Sequence, residues 1–335
     1  MVLKYDNKCF TFCVLAYNHN KYIIQHLESI KFQIKSFMDD WTVNLIISDD
    51  ASSDNTVELI NVWLTYNNKY FNKIETNYND KNIGTCAVVQ KLLKKYDGGH
   101  LKITAGDDMY SNESIISELV HCDGNTILVG RTFLLKERKV IRSLFYDTLE
   151  KFSILANQNY KVMDKIKRYQ VINAPNTFYP VHRLNTEACG EFLSRFDVVE
   201  DLALQIYLAE NYPSLKLKFV DKCFVLYRRT SNSTYITANQ RFLMDQYSLL
   251  TYLANGENKF LRRALLRMRA SKFTKYSMLG LFLIPKYIFL LARLHIFMYA
   301  WILVRIERKD IKVVQSHANT IMECSDRFMR RHRTL

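Results

Sequence analysis

The chain has 335 residues, long for one domain, with a hydrophobic fraction of 48% and a charged fraction of 24%, which fits a globular protein and excludes a disordered or fibrous one. Its formal net charge is +14, and the excess lies past residue 240: from Arg241 onward 18 Lys and Arg face 6 Asp and Glu. The 7 cysteines include no Cys-x-x-Cys pair, and MVLKYDNKCF carries no signal-peptide pattern, so free thiols in a reducing cytosol are expected and a zinc site is not.

In chain order, CFTFCVLAYN reads as a short apolar strand, Phe10 to Tyr17, rich in β-formers. KYIIQHLESIKFQIKSF has helical spacing at Ile23, Leu27, Ile30 and Ile34. WTVNLIISDD is a second buried strand that ends in acids, and SSDNTVELINVWLTY a helix with Ser53 or Asp54 as its N-cap. A short segment around Ile74, the helix TCAVVQKLLKKY and the strand HLKITAG follow. Strands alternating with helices predict an α/β fold, a mostly parallel sheet covered on both faces. In such sheets ligands bind beyond the carboxyl ends of the strands. The three polar strand ends AYNHN, SDDASSDNT and AGDDMYS are therefore expected along one edge.

These motifs together, VLAYNHNKYIIQHLESI, IISDDASSDNT, NIGTCAVVQKLL and ITAGDDMY, resemble the amino-terminal half of a family 2 glycosyltransferase with the GT-A fold, over roughly the first 115 residues. VVEDLALQIYLAE resembles the family's Glu-Asp motif and YRRTSNST its Tyr-Arg segment; both are shorter and less specific. The resemblance implies a GT-A domain over residues 1–240, with a nucleotide-sugar half at about 1–115 and an acceptor half at about 116–240. Residues 241–335 remain as a helical, basic, membrane-associating region.

A nucleotide-sugar donor has a base, a ribose, a diphosphate and a sugar. By the resemblance Asp50 accepts the N3–H of a uracil-like base, Tyr17 stacks on that base and the backbone at Ala16 contacts it, while Asp49 orients the loop. A helix-capping turn before Thr56 is the competing reading of these two acids. The diphosphate carries at least two negative charges, which a divalent cation, Mn2+ or Mg2+, offsets as the bond to the sugar breaks. The resemblance makes Asp108 a ligand of this metal and gives Asp107 the ribose or a metal-bound water. The family often has a further acid two positions before Asp107, where this chain has Ala105; the cation would then take most of its ligands from phosphates and water.

Inverting transfer needs one base for the acceptor hydroxyl. Asp201 matches the family's base, with Glu200 as second candidate. Both also suit the positive end of the helix that follows them. Arg228 and Arg229 are candidates for the diphosphate, or a solvated surface pair. His182 lies where the family shapes its acceptor pocket, although a packed or surface histidine fits that stretch as well.

The segment LGLFLIPKYIFLLARLHIFMYAWILV, Leu279 to Val304, is long enough to span a membrane, but Pro285, Lys286, Arg293 and His295 interrupt it. Basic flanks on an aromatic-rich apolar helix suit an anionic membrane surface better than a span; a buried bundle helix is the other reading. Nucleic-acid binding is not expected. The combined expectation is an inverting hexosyltransferase moving a sugar, UDP-linked, to a glycan or polyprenyl-linked acceptor in O-antigen, lipopolysaccharide or capsule assembly. It would be cytoplasmic and peripheral on the inner face of the cytoplasmic membrane. The alternatives are a catalytically silent relative that binds membrane or partners, and a nucleotidyltransferase, whose Gly-rich, Lys/Arg-containing first loop is replaced here by AYNHNKY.

Overall fold

The structure is a computed structural model that describes residues 8–96, 98–168, 170–229, 240–271, 292–307 and 311–332. Its first part is the expected alternation: β1 (Cys9–Ala16), α1 (Ile23–Phe37), β2 (Thr42–Asp49), α2 (Thr56–Asn67), β3 (Lys73–Tyr78), α3 (Thr85–Lys94) and β4 (His100–Ala105). The four strands form one sheet in the order β3-β2-β1-β4, and every pairing in it is parallel.

β1 shows why this sequence needs two covered faces. Side chains alternate across a strand, and in β1 both sets are apolar apart from the buried Thr11. Phe10, Phe12 and Val14 pack with Ile23, Leu27 and Ile30 of α1 and with Ile60 and Trp63 of α2. Cys13 points the other way, into a cluster with Val88, Val89 and Leu92 of α3. The heavily buried β1 and β2 are what a parallel sheet between two helical layers demands.

The chain continues through β5 (Met109–Tyr110), α4 (Ile116–Leu119), β6 (Thr126–Val129), β7 (Phe133–Lys136) and β8 (Lys139–Ile141). Next come α5 (Leu144–Asn157), α6 (Val162–Lys167), β9 (Thr177–Phe178), α7 (Glu187–Leu193), α8 (Glu200–Asn211), β10 (Lys216–Phe219) and β11 (Val225–Arg228). These strands make two small mixed sheets, β10-β6-β9 and β5-β11-β7-β8. The pairing of β11 with β5 is antiparallel and lays Leu226 beside Met109, which brings Arg228 against the Asp107–Asp108 turn.

Beyond residue 240 the described helices are α9 (Gln240–Asn255), α10 (Phe260–Ser271), α11 (Leu294–Ile306) and α12 (Lys312–Arg331). They share the core of the body and do not stand apart from it. Leu249, Leu253 and Leu266 join the cluster of Val88 and Leu204. Ala318, Ile321 and Met322 of α12 close over Met109, Leu135 and Leu226. The apolar faces of these helices cover sheet and helix surfaces that the described residues up to 229 leave open.

Candidate active site

The carboxyl ends of β1, β2 and β4 open onto one cavity of about 940 Å³, lined among others by Ala16, Tyr17, Asp50, Asp107, Asp108, Glu200 and Asp201. The strand-end loops are stitched to one another. Asn18 (φ 55) receives the Ser53 N–H on its side-chain oxygen (2.8 Å), and its own N–H donates to Ser52 Oγ (2.8 Å). Asp49 takes the Ser52 N–H on Oδ1 (2.8 Å) and the Ser52 hydroxyl on Oδ2 (2.5 Å), so its carboxylate belongs to the loop. α2 begins at Thr56, whose N–H donates to Asp54 Oδ1 (3.0 Å), while Asp54 Oδ2 accepts from Asn20 N (3.1 Å).

Asp50 is buried and is also held, through Oδ1 by Asn79 Nδ2 (3.0 Å) and Ile83 N (2.9 Å) and through Oδ2 by Gly84 N (2.9 Å). A carboxylate offers about four acceptor directions, so room for a further donor is left at the cavity wall. Tyr17 is 47% exposed at the rim, free to lie against a planar ring.

The two aspartates after β4 sit in different surroundings. Asp107 lies at the cavity with Oδ1 3.9 Å from His19 Nε2. Asp108 is 2% exposed, and its Oδ1 accepts the backbone N–H of Arg228 (2.8 Å) while its carbonyl accepts from His26 Nδ1 (2.9 Å). Burial first, then the charge of Asp107, push the Asp108 carboxyl well above the ordinary carboxylate range. The N–H and guanidinium of Arg228 and the ammonium of Lys102 oppose that push. A buried carboxylate beside another is a place that favours an added positive charge. Among the described residues no group of three or more His, Cys, Asp or Glu gathers that could hold a metal with protein ligands alone. The donor set fits a hard cation that takes one or two carboxylates here and completes its shell with phosphate oxygens and water.

Across the cavity, α8 starts with Glu200 and Asp201. Burial, then the adjacent Asp201, push Glu200 up to about 8. Burial also raises Asp201, against the N–H groups of Leu202 and of Asp201 itself. Tyr179, in the same wall, donates its hydroxyl to the Asp201 carbonyl (3.4 Å).

Arg228 reaches the cavity, but its guanidinium is committed to the protein. Nε donates to the Asp107 carbonyl (2.6 Å), Nη2 to Gln25 Oε1 (2.6 Å) and Nη1 to the Glu137 carbonyl (3.3 Å), and the plane lies 4.2 Å from the centre of the Tyr22 ring. Arg229 is exposed and outside the cavity lining, near Tyr227. His182 is likewise outside the lining: it packs over Gly124, where a Cβ would meet its ring, and neighbours Val181 and Leu184 take the cavity wall instead. Most of the rest of YRRTSNST falls outside the described residues.

One cavity residue carries no weight in the motifs. Lys102, in the middle of β4, is 3% exposed and donates to the carbonyls of Thr177 (2.8 Å) and Ala174 (3.3 Å). Burial lowers its pKa to about 7, opposed by Asp108 and Glu200, so it stands between the two acid pairs. A lone lysine inside the apolar run HLKITAG is the signal that marks it in the sequence.

The fold is shared with known proteins. Residues 1–349 of S. aureus TarS, solved with UDP-GlcNAc, superpose with a TM-score of 0.51 at 15% identity, over 94% of this chain and 91% of that one. The mannosyltransferase PcManGT from Pyrobaculum calidifontis, solved with GDP-Man and Mn2+, gives 0.51 at 12% identity, over 90% and 88%. The fold is that of the GT-A glycosyltransferases. In sequence the chain is 31% identical over 105 residues to the abequosyltransferase RfbV of Salmonella typhimurium, a stretch that covers 31% of this chain and 30% of the relative. No protein-family model matches the chain.

Proposed function

We propose that this chain is an inverting glycosyltransferase that moves a sugar from a nucleotide donor, UDP-linked, to a hydroxyl of a glycan or polyprenyl-linked acceptor in bacterial surface polysaccharide assembly. The observation that carries the reading is the convergence of Asp50, Asp107–Asp108 and Glu200–Asp201 on one cavity in a GT-A fold. Asp50 and Tyr17 would bind the base, and Asp107 the ribose or a metal-bound water. Asp108, with Asp107, would hold a divalent cation, which supplies charge neutralisation at the diphosphate.

Asp201 would accept the acceptor's hydroxyl proton as that oxygen bonds to the anomeric carbon, while the carbon–oxygen bond to the diphosphate breaks and the nucleoside diphosphate leaves. A base whose pKa burial raises is better matched to neutral pH than a free aspartate. The test is incubation with a panel of UDP- and GDP-sugars, following donor hydrolysis, transfer and the anomeric configuration of product. Slow hydrolysis of one donor, and a product of inverted configuration, are expected. No binding and no turnover of any nucleotide sugar overturns the reading.

The proposal also sets the enzyme against the inner face of the cytoplasmic membrane. α11 leaves Leu294, Met298, Tyr299, Ile302 and Ile306 exposed, and α10 exposes Phe260 and Leu261 beside Arg267. Other arginines of RRALLRMR turn inward: Arg262 pairs with Asp164, and Arg269 donates to the Ile166 carbonyl (3.3 Å). Ala300 and Val304 are buried, and Ala300 packs with Phe152 and Ala156 of α5, so α11 has one protein-facing side. No described helix is long and apolar enough to cross a membrane; residues 279–291 of the apolar segment lie outside the described residues. Binding to anionic vesicles should exceed binding to neutral ones and weaken with salt. Equal binding to both vesicle types counts against a charge-assisted surface.

A further inference from the structure

α9 carries two side chains, one helical turn apart and so on one face, that reach both sides of the cavity. Asp245 is 7% exposed, and a single carboxylate oxygen, Oδ2, accepts the backbone N–H groups of Asp197 (2.8 Å), Val198 (2.6 Å) and Val199 (3.1 Å). Those are the three residues immediately before Glu200 and Asp201. Arg241 grips the Asp197 carboxylate through Nε and Nη2 and donates from Nη1 to Asn82 Oδ1 (2.8 Å). Asn82 in turn donates to the Asp50 carbonyl (3.3 Å), and the Asp50 carboxylate holds the next two N–H groups of that loop.

The loop is locked from its far side as well. The Asp197 carbonyl accepts the Cys86 N–H (3.0 Å) at the start of α3. Gly84 has φ +85, and a Cβ there would collide with Asp197 and with the Arg241 guanidinium. The loop that presents Asp50 and the loop that presents Asp201 are thus pressed together, with α9 as the member that touches both.

We propose that Asp245 is a positioning residue for the base at the start of α8, and that Arg241 ties this placement to the nucleotide-binding loop. The inference rests on the glycosyltransferase reading and adds to it the element that sets the base. Two adjacent buried carboxylates repel each other and gain by moving toward water. The backbone that carries them is kept in place by three charge-assisted hydrogen bonds, each roughly twice as strong as a neutral one. Rate depends steeply on such placement: a shift of about 1 Å costs on the order of a hundredfold.

The experiment uses the full chain and compares wild type with Asp245→Asn, Asp245→Glu and Arg241→Lys. Nucleotide-sugar affinity is read by calorimetry, kcat and KM by transfer or donor hydrolysis, and stability by thermal unfolding. Asp245→Asn keeps the size of the side chain and one acceptor oxygen but removes the charge. Its kcat should fall tenfold to a hundredfold, within the range of about 10² that misplacement costs, with donor affinity at the wild-type value. Arg241→Lys replaces the fork that spans Asp197 and Asn82 with a single ammonium, and should weaken donor binding as well as kcat. If Asp245→Asn does not fold, Asp245→Glu is read in its place, with the same split expected.

Wild-type kcat in the Asp245 variants, or donor affinity and kcat falling together in step with the melting temperature, overturns the positioning role. A wild-type protein that binds and turns over no nucleotide sugar overturns the functional reading and this inference with it.

Discussion

Asp107–Asp108 and Glu200–Asp201 are both adjacent carboxylates on the wall of one cavity, yet different parts of the chain hold them. The first pair follows β4 and is held from β11, by the Arg228 backbone N–H on Asp108 and the Arg228 guanidinium on the Asp107 carbonyl. The second pair starts α8 and is approached from α9, through the carboxylate of Asp245 on the preceding backbone. Burial raises the pKa of Asp108, Glu200 and Asp201 alike. What differs is the charge nearby. At Asp108 the charge of Asp107 opposes ionisation while Arg228 and Lys102 favour it, whereas at Glu200 the charges of Asp201 and Asp245 oppose it while its own backbone N–H and Lys102 favour it. On the glycosyltransferase reading, the first pair would meet a cation and the second would take the proton of the acceptor hydroxyl.

The sharpest way to break this contrast is Asp108→Asn, which carries the largest expected effect. The amide oxygen still accepts the Arg228 N–H, so the fold and melting temperature should persist, while transfer falls to background. EDTA should do the same to the wild type, reversibly. Full activity in EDTA would remove the cation from the first pair.

Asp201→Asn comes next. Donor binding should remain near wild type, and turnover should drop by about two to four orders of magnitude, the scale of general-base catalysis. If Glu200→Gln produces that loss and Asp201→Asn does not, the base is the neighbouring residue.

A pH profile sharpens the same point without a mutation. The transfer needs a deprotonated base, and both acids of the second pair are raised, Glu200 up to about 8. As pH falls the pair takes its proton earlier than free carboxylates, whose pKa values lie near 4. kcat/KM should therefore decline on the acid side well above pH 4, and the limb belongs to the pair as a unit. For stability the sign is opposite: a carboxyl raised on folding favours the fold at low pH, and that contribution is lost as pH rises through its folded value. An acidic limb at an ordinary carboxylate pKa would separate the base from this buried pair.

The contrast also explains what could be read in the sequence. β1, β2 and β4 announce themselves as apolar runs that end in acids, because a doubly covered parallel strand needs apolar residues on both faces. The acids of the first pair are legible for the same reason, since the strand end fixes where they sit. The holders are not. Arg228 meets the Asp107 carbonyl across 121 positions of chain, and Asp245 meets Val199 across 46, through packing that no local pattern encodes. Lys102 was visible as the one charge in an apolar strand, and its burial between the two pairs follows only from the three-dimensional arrangement. The region past residue 240 reads as a basic tail by composition, but the inward faces of α9, α10 and α12 make it part of the core.

The smallest expected effect tests the holder of the first pair. In Arg228→Lys the backbone N–H that reaches Asp108 is kept, and only the guanidinium is lost. A guanidinium presents a planar fork of donors and an ammonium a compact point charge, so the substituted side chain cannot serve the Asp107 carbonyl, Gln25 and the Glu137 carbonyl together or lie flat on Tyr22. These acceptors are at most half-buried, so each hydrogen bond lost costs on the order of 1 kcal/mol. The melting temperature should therefore fall, and kcat should fall by less than in Asp201→Asn, because the aspartates remain and only the turn that presents them loosens. Donor KM and thermal unfolding are measured side by side. A lower melting temperature with a modest loss of kcat fits a guanidinium that holds the turn. A raised donor KM with an unchanged melting temperature would instead put that guanidinium on the diphosphate, and would make the first pair depend on the bound donor for its neighbouring positive charge.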